Sequence, residues 1–195
     1  MKDRWALYLL PPSHNLQSMP SSNLPPLGSD YVFSVSSSAL IDAPRDKIWS
    51  IMLDFPSYTN WNTFVRKMTV TSASKEPLAD QTPAEGKHIH MNVHMPPTMG
   101  EPGCFGAQKA FVIISSVEPD NYRVAWKTAG MPSFLLHTER WQALSMDDVS
   151  GKTKYETIEV FGGVLAYLVK LFVGEKLKVA FRAAADSLKT KAEQS

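Results

Sequence analysis

The last thirty or so residues constrain the fold more than any other stretch. From Gly162 to Glu193 there is no proline, and helical spacing runs throughout. The pattern predicts one helix of roughly thirty residues, about 45 Å long at the α-helical rise. Its two halves differ. In the second, Leu177, Phe181, Ala184 and Leu188 recur at helical spacing, while Lys178, Arg182, Asp186 and Lys189 take the opposite stripe. In residues 164–173 only Lys170 is charged. The line that carries Glu175, Arg182 and Asp186 is continued backwards by Val164, Leu168 and Leu171. A helix that is apolar all round must be covered all round, or must lend a side to something other than protein core. Gly174 stands at the changeover. Glycine costs about 1 kcal/mol relative to alanine in a helix interior, so a bend or a close approach is expected there.

What precedes the helix reads mostly as β-structure able to provide the cover. Residues 1–30 form a leader rich in proline and serine, with prolines at 11, 12, 20, 25 and 26; regular structure is not expected in it. The apolar run at 5–10 is short for a signal core, and Pro11-Pro12 follow it without a clear cleavage site. No apolar run reaches the roughly 18 residues of a spanning helix. Residues 31–41 read as a strand. Asp42 and Pro44 then open a short helix with Ile48, Trp49, Ile51 and Met52 on its apolar face. Residues 57–62 form a second short helix or turn. Strands are expected at 63–72, 86–95, 107–117, 122–128, 135–146 and 153–161, joined mostly by tight turns, which favours an antiparallel sheet. The exception is the loop 96–106, which is long and rich in Pro and Gly, a candidate lid. The expected fold class is α+β: a curved antiparallel sheet wrapped around one long C-terminal helix, with two short helices after the first strand.

Two strings carry a family resemblance. Ala39-Leu-Ile-Asp-Ala-Pro-Arg-Asp-Lys-Ile-Trp49 is followed by Asp54-Phe-Pro-Ser-Tyr-Thr-Asn-Trp61-Asn62, and the last strand runs through Phe161-Gly-Gly163 into a helix with a late Glu193. This resembles the START-related helix-grip superfamily (SRPBCC, birch-pollen-allergen-like) over residues 31–193, nearest its polyketide cyclase/dehydrase and coenzyme-Q-binding-like groups. The resemblance implies one ligand-binding domain holding a hydrophobic small molecule between sheet and helix. Some members catalyse and many only bind.

Several constellations bear on chemistry. His88, His90, Asn92 and His94 share one face of a strand, and Ile89, Met91, Val93 and Met95 share the other. A His-x-His pair can ligate zinc, but the apolar face belongs on the cavity side, so the histidines are expected to face solvent and no metal site is assigned. On residues 135–146, His137, Glu139 and Trp141 share one face and Leu136, Thr138, Arg140 and Gln142 the other. Tyr155, Thr157, Glu159 and Phe161 share a face of the last strand. If the mixed aromatic and polar faces line the cavity, His137, Glu139, Tyr155 and Glu159 are the catalytic candidates, able to move a proton α to a carbonyl and stabilise an enolate. Exposed cross-strand pairing is the more ordinary reading of such residues, and one bulge inverts the parity. Ligand contacts are expected from Trp61, Met91, Val93, Trp126, Trp141, Leu165, Leu168 and Phe172. Cys104 stands in the long loop with no flanking base or cation.

Net charge is +1, so no basic field argues for nucleic acid or for an anionic membrane. The single cysteine forms no internal disulfide and fits a reducing compartment; a cytoplasmic location is expected. The leading expectation is a binder of a hydrophobic small molecule (polyketide, isoprenoid or lipid) without a cofactor. The first alternative is a metal-free polyketide cyclase or dehydratase-like enzyme, a lyase or isomerase closing a ring by aldol chemistry. The second is lipid transfer at a membrane, with residues 164–173 at the mouth; membrane contact is permitted by the sequence but not required.

Overall fold

The structure, a computed structural model, describes residues 22–104 and 106–194. The apolar run at 5–10 and the rest of residues 1–21 lie outside the described residues. Alternation puts Val35 and Ile41 inward and Ser34, Ser36 and Ser38 outward along β1 (Phe33–Ile41). Pro44, with φ −61° and ψ 144°, caps α1 (Arg45–Leu53) without a side-chain bond. Asp42, the expected cap, instead pairs with Lys152 at 3.3 Å. Ile48 and Met52, one turn apart, bury the inner face of α1. A 3₁₀ turn, Phe55–Asn60, follows. Asn62 ends it, its Oδ1 accepting the N–H groups of Phe64 and Val65 at 3.0 and 2.8 Å.

The remaining strands are β2 (Val65–Thr71), β3 (His88–His94), β4 (Ala107–Glu118), β5 (Arg123–Thr128), β6 (His137–Met146) and β7 (Thr153–Gly162). They join β1 in one seven-stranded sheet of order β1-β7-β6-β5-β4-β3-β2, antiparallel at every pairing. Bulges interrupt the β2–β3 and β4–β5 ladders, whereas β5–β6 and β6–β7 run in continuous register.

Sequence reading predicts one C-terminal helix; the chain instead builds two. α2 (Ala166–Phe172) ends at Val173, whose φ −124° and ψ −20° leave the helical region, and α3 (Gly174–Glu193) begins immediately. The break falls at the glycine singled out above. At a first helical position Gly174 avoids much of the cost it would have mid-helix. α3 turns Leu177, Ala180, Phe181, Ala184, Ala185, Leu188 and Ala192 toward the sheet. Its C-terminal end is tied back by Glu193, whose Oε1 accepts the Asp42 N–H at 2.8 Å.

Residues 22–31 cross the outer face of the sheet. The Asn23 amide donates to the carbonyls of Asn121 and Leu144 at 2.8 and 2.7 Å, and Arg123 donates to Asn23 O at 2.6 Å and to Asn23 Oδ1 at 2.9 Å. At the other end Tyr31 donates to Glu139 at 3.0 Å. The last part of the proline-rich leader is therefore held on the sheet.

Two glycines bracketing α2 make opposite demands. Gly163 has φ +91°, and a Cβ there would lie 2.7 Å from the Leu135 carbonyl oxygen. At Gly174 a Cβ would meet nothing within 4 Å. Gly163→Ala is expected to cost more than about 1 kcal/mol, and Gly174→Ala to be neutral or to stabilise by up to about 1 kcal/mol; urea unfolding of the two variants checks both signs.

Candidate functional site

Between α2–α3 and the concave face of the sheet lies a cavity of about 580 Å³, within the usual range of small-molecule sites, about 300–1,000 Å³. Its walls come from Phe64, Met91, Val93, Met95, Val112, Trp126, Leu136 and Phe161 on the sheet side and from Val169, Val173 and Leu177 on the helix side. Gln108, Lys109, Met131 and Lys176 line it while remaining exposed, and so mark its mouth. The helix break sits at that mouth, because Val173 and Lys176 flank Gly174 and both line the cavity.

The inner end is polar. Arg140, 6% exposed, is the only buried lysine or arginine among the described residues. Its Nε donates to Thr157 Oγ1 at 3.2 Å. Its guanidinium carbon stands 4.1 Å from the Phe181 ring centre and 5.8 Å from that of Trp126. Two aromatic faces thus replace part of the water the cation gave up. Glu159 is the direct cross-strand partner of Arg140 and also lines the cavity. Burial pushes the Glu159 carboxyl up from its ordinary value, and the nearby Arg140 charge and a Thr138 hydrogen bond pull it partly back. Tyr155 donates to Gln142 at 2.7 Å. Burial raises its hydroxyl too, offset in part by Arg140. A small void bordered by Tyr58, Asn62, Arg140, Gln142 and Tyr155 continues behind this group.

The structure divides the expected catalytic residues. Tyr155 and Glu159 face inward, but His137 and Glu139 lie on the outer face. Register is the reason: Arg140 opposes Glu159, Gln142 opposes Thr157 and Leu144 opposes Tyr155, so the other face of β6 is inward. The His137 ring packs against Tyr31 and its Nδ1 meets Ser133 O at 2.8 Å. Glu139 accepts from Tyr31 and Trp141 and pairs with Lys127 at 3.6 Å. Trp141 shares that outer face. Met91, Val93 and Trp126 do line the cavity. Trp61 packs on Tyr58 and borders only the small void and an outer groove. Leu165 is half-buried with its N–H on the Leu135 carbonyl. Leu168 and Phe172 point to solvent, and their places on the wall are taken by Val169 and Val173. One residue along a helix is about 100° of rotation, enough to exchange wall for surface.

His88, His90 and His94 point away from the cavity, as alternation with Ile89, Met91 and Val93 requires. His88 stacks on Phe111, and His94 meets Thr98 O at 3.2 Å. Burial holds His90 below the usual imidazole range, aided by Lys109, Lys75 and Lys67. Among the described residues no three His, Cys, Asp or Glu side chains are placed to hold a metal ion. Beyond Met95 the long loop adds no described residue to the cavity wall, and Thr98 bonds back to Thr63 O at 2.9 Å.

Arg140 is the buried cavity residue that the sequence-based candidates left out. One signal was present. Leu136 and Leu144 share its parity, but Leu135 and Trp141 share the opposite one, so this signal did not by itself mark the inward face.

The chain matches the model of the family described as polyketide cyclase/dehydrase and lipid transport over residues 32–193. It is similar to the oxopyrrolidines biosynthesis cluster protein O of Penicillium oxalicum, 27% identical over 171 residues that cover 78% of this chain and 82% of that one. A START superfamily protein from Mycobacterium smegmatis shares the fold with TM-score 0.56 and 16% identity, over 83% of this chain and 97% of that one. The ZhuI aromatase/cyclase from Streptomyces sp. R1128 does so with TM-score 0.58 and 12% identity, over 83% and 94%. A curved sheet gripping a C-terminal helix, a cavity between them and a family match across nearly all the described chain agree: this protein belongs to the polyketide cyclase/dehydrase and lipid transport family.

Proposed function

We propose that the cavity binds a polyketide-type small molecule, apolar over most of its surface and carrying at least one carbonyl or enol oxygen that Arg140 holds. The observation that carries this reading is a single buried cation, fixed by Thr157 and two ring faces, bordering an otherwise largely apolar cavity. An Arg–oxygen hydrogen bond in a dry site orients a ligand more strongly than apolar contact can. The similarity to a protein of an oxopyrrolidine biosynthesis cluster supports a ligand of biosynthetic origin. The single cysteine supports a cytoplasmic setting.

Glu159 favours a second reading, that the protein closes a ring in this ligand. A carboxylate with a raised pKa removes a proton α to a carbonyl more readily than an ordinary one. Arg140 beside it would stabilise the resulting enolate oxygen. The enolate carbon would then attack a second carbonyl of the same chain, and protonated Glu159 would return its proton to the new alkoxide. The ZhuI aromatase/cyclase, which shares the fold, makes this reading concrete.

Mass spectrometry of molecules that co-purify with the protein identifies the ligand class. Arg140→Met keeps the bulk and removes the charge. It should weaken binding of a carbonyl-bearing ligand at least about tenfold, since bonds to charged groups contribute about 1.5–3 kcal/mol, and leave binding of the matching hydrocarbon unchanged. Equal loss for both ligands, or loss for neither, would count against the reading.

The raised Glu159 pKa has a signed consequence for stability. Between its unfolded and folded values the native state binds the extra proton, so stability falls as pH rises through that window, beginning near the ordinary carboxyl value. Glu159→Gln should be the more stable protein above the window, and the difference from wild type should shrink below it; melting temperatures of both proteins across pH test this. For the cyclase reading the same variant must lose ring closure while still binding ligand.

A further inference from the structure

α2 has two apolar faces, and only one is used by the fold. Ala166, Val169 and Val173 turn inward. Val164, Tyr167, Leu168, Leu171 and Phe172 recur at helical spacing on the outside and are 66%, 66%, 53%, 73% and 68% exposed. The patch continues onto the β5–β6 loop: Phe134 is 68% exposed, and its carbonyl accepts the Val164 N–H at 3.0 Å. Met131, on the same loop, is both exposed and part of the cavity wall. Exposed side chains of this size gathered in one place mark an interaction surface.

Three features of the patch choose its partner. Its polar atoms are few: within the stripe only the Tyr167 hydroxyl and the Lys170 ammonium are available. A protein partner ordinarily makes about one hydrogen bond per 100–200 Å², and this surface offers little for that. Its charge has one sign. Lys170 and Lys176 are exposed and have no carboxylate in ion-pair range among the described residues, and Glu175, the nearby acid, is already paired with Lys178 at 2.7 Å. Apolar and aromatic side chains flanked by lysines on a helix lying parallel to a surface suit the boundary of an anionic bilayer. Finally, the patch adjoins the cavity mouth at Met131 and Lys176, so an apolar ligand could pass between cavity and lipid without crossing water. We infer that α2 and Phe134 dock this protein on an anionic lipid surface with the cavity mouth turned toward the bilayer. No helix is long and apolar enough to cross a membrane among the described residues, so the contact is peripheral.

Co-sedimentation of the full chain with vesicles tests the docking directly. Vesicles of phosphatidylcholine with phosphatidylserine should carry the protein down, phosphatidylcholine alone should carry less, and added salt should release it. Leu171→Glu combined with Phe172→Glu should reduce the bound fraction at least tenfold with melting temperature and cavity binding unchanged, because both side chains are exposed and neither lines the cavity. Phe134→Glu is an independent variant expected to act in the same direction. Absence of sedimentation with either vesicle, or retention of it in both variants, overturns the inference. So does a dimer in size-exclusion chromatography that the double variant dissociates while no vesicle binding is seen, which would assign the patch to a second copy of the chain. The vesicle result is independent of ligand retention, so failure here is distinguishable from failure of the cavity reading.

Discussion

α3 does not lie flat on the sheet. Its alanine-rich inner face, with Ala180, Ala184, Ala185 and Ala192, lets its backbone come close to one strand, the edge strand β1. From the other strands it stands off. The gap must hold something, because protein interiors fill at crystal-like density. Toward the closed end it is filled by Phe55, Trp126, Tyr155 and Phe181, all buried. Toward α2 it stays open as the cavity. The strands that make its wall are far apart in the chain, β3 and β4 within residues 88–118 and β6 and β7 within residues 137–162, so the cavity exists only once the sheet is complete.

The polar inner end depends on the same standoff. A buried cation costs several kcal/mol unless charge, hydrogen bonds or π faces compensate it. Arg140 draws on all three: Glu159 across the ladder, Thr157 at its Nε and the Phe181 ring supplied by α3. A helix lying closer would leave no room for the guanidinium, and one lying further away would take the ring from it. The arrangement sets one cation beside one carboxyl of raised pKa, at the place where a ligand filling the cavity would end.

How much of this was legible in the sequence depended on how local the deciding forces are. The β3 face was legible, because Ile89, Met91 and Val93 alternate with His88, His90 and Asn92 without interruption and only one face can be core. On β7 the alternation grouped Tyr155 with Glu159 on one face but left open whether that face was the inward one. β6 was not legible, because both of its faces mix charge with bulk, and the outer one keeps Trp141 half-buried beneath the segment around Tyr31. Only the ladder that sets Arg140 against Glu159 assigned its faces. Likewise, periodicity found the apolar half of the C-terminal helix and Gly174 within it. Val169 and Val173, eight and four residues before Leu177, continue its inward face into the cavity wall, and Leu168 falls outside it.

The sequence by itself determined the elements, their order and the helix-grip class, because hydrophobic period, turn residues and chain continuity act over a few residues at a time. It also determined that residues 164–173 needed an unusual neighbour on each side. Tertiary structure alone decided which face of β6 became the cavity wall, that Arg140 rather than His137 sits there, and where the C-terminal helix divides. Those outcomes rest on strand register and on the distance between α3 and the sheet, and both are set by contacts between residues far apart in the chain.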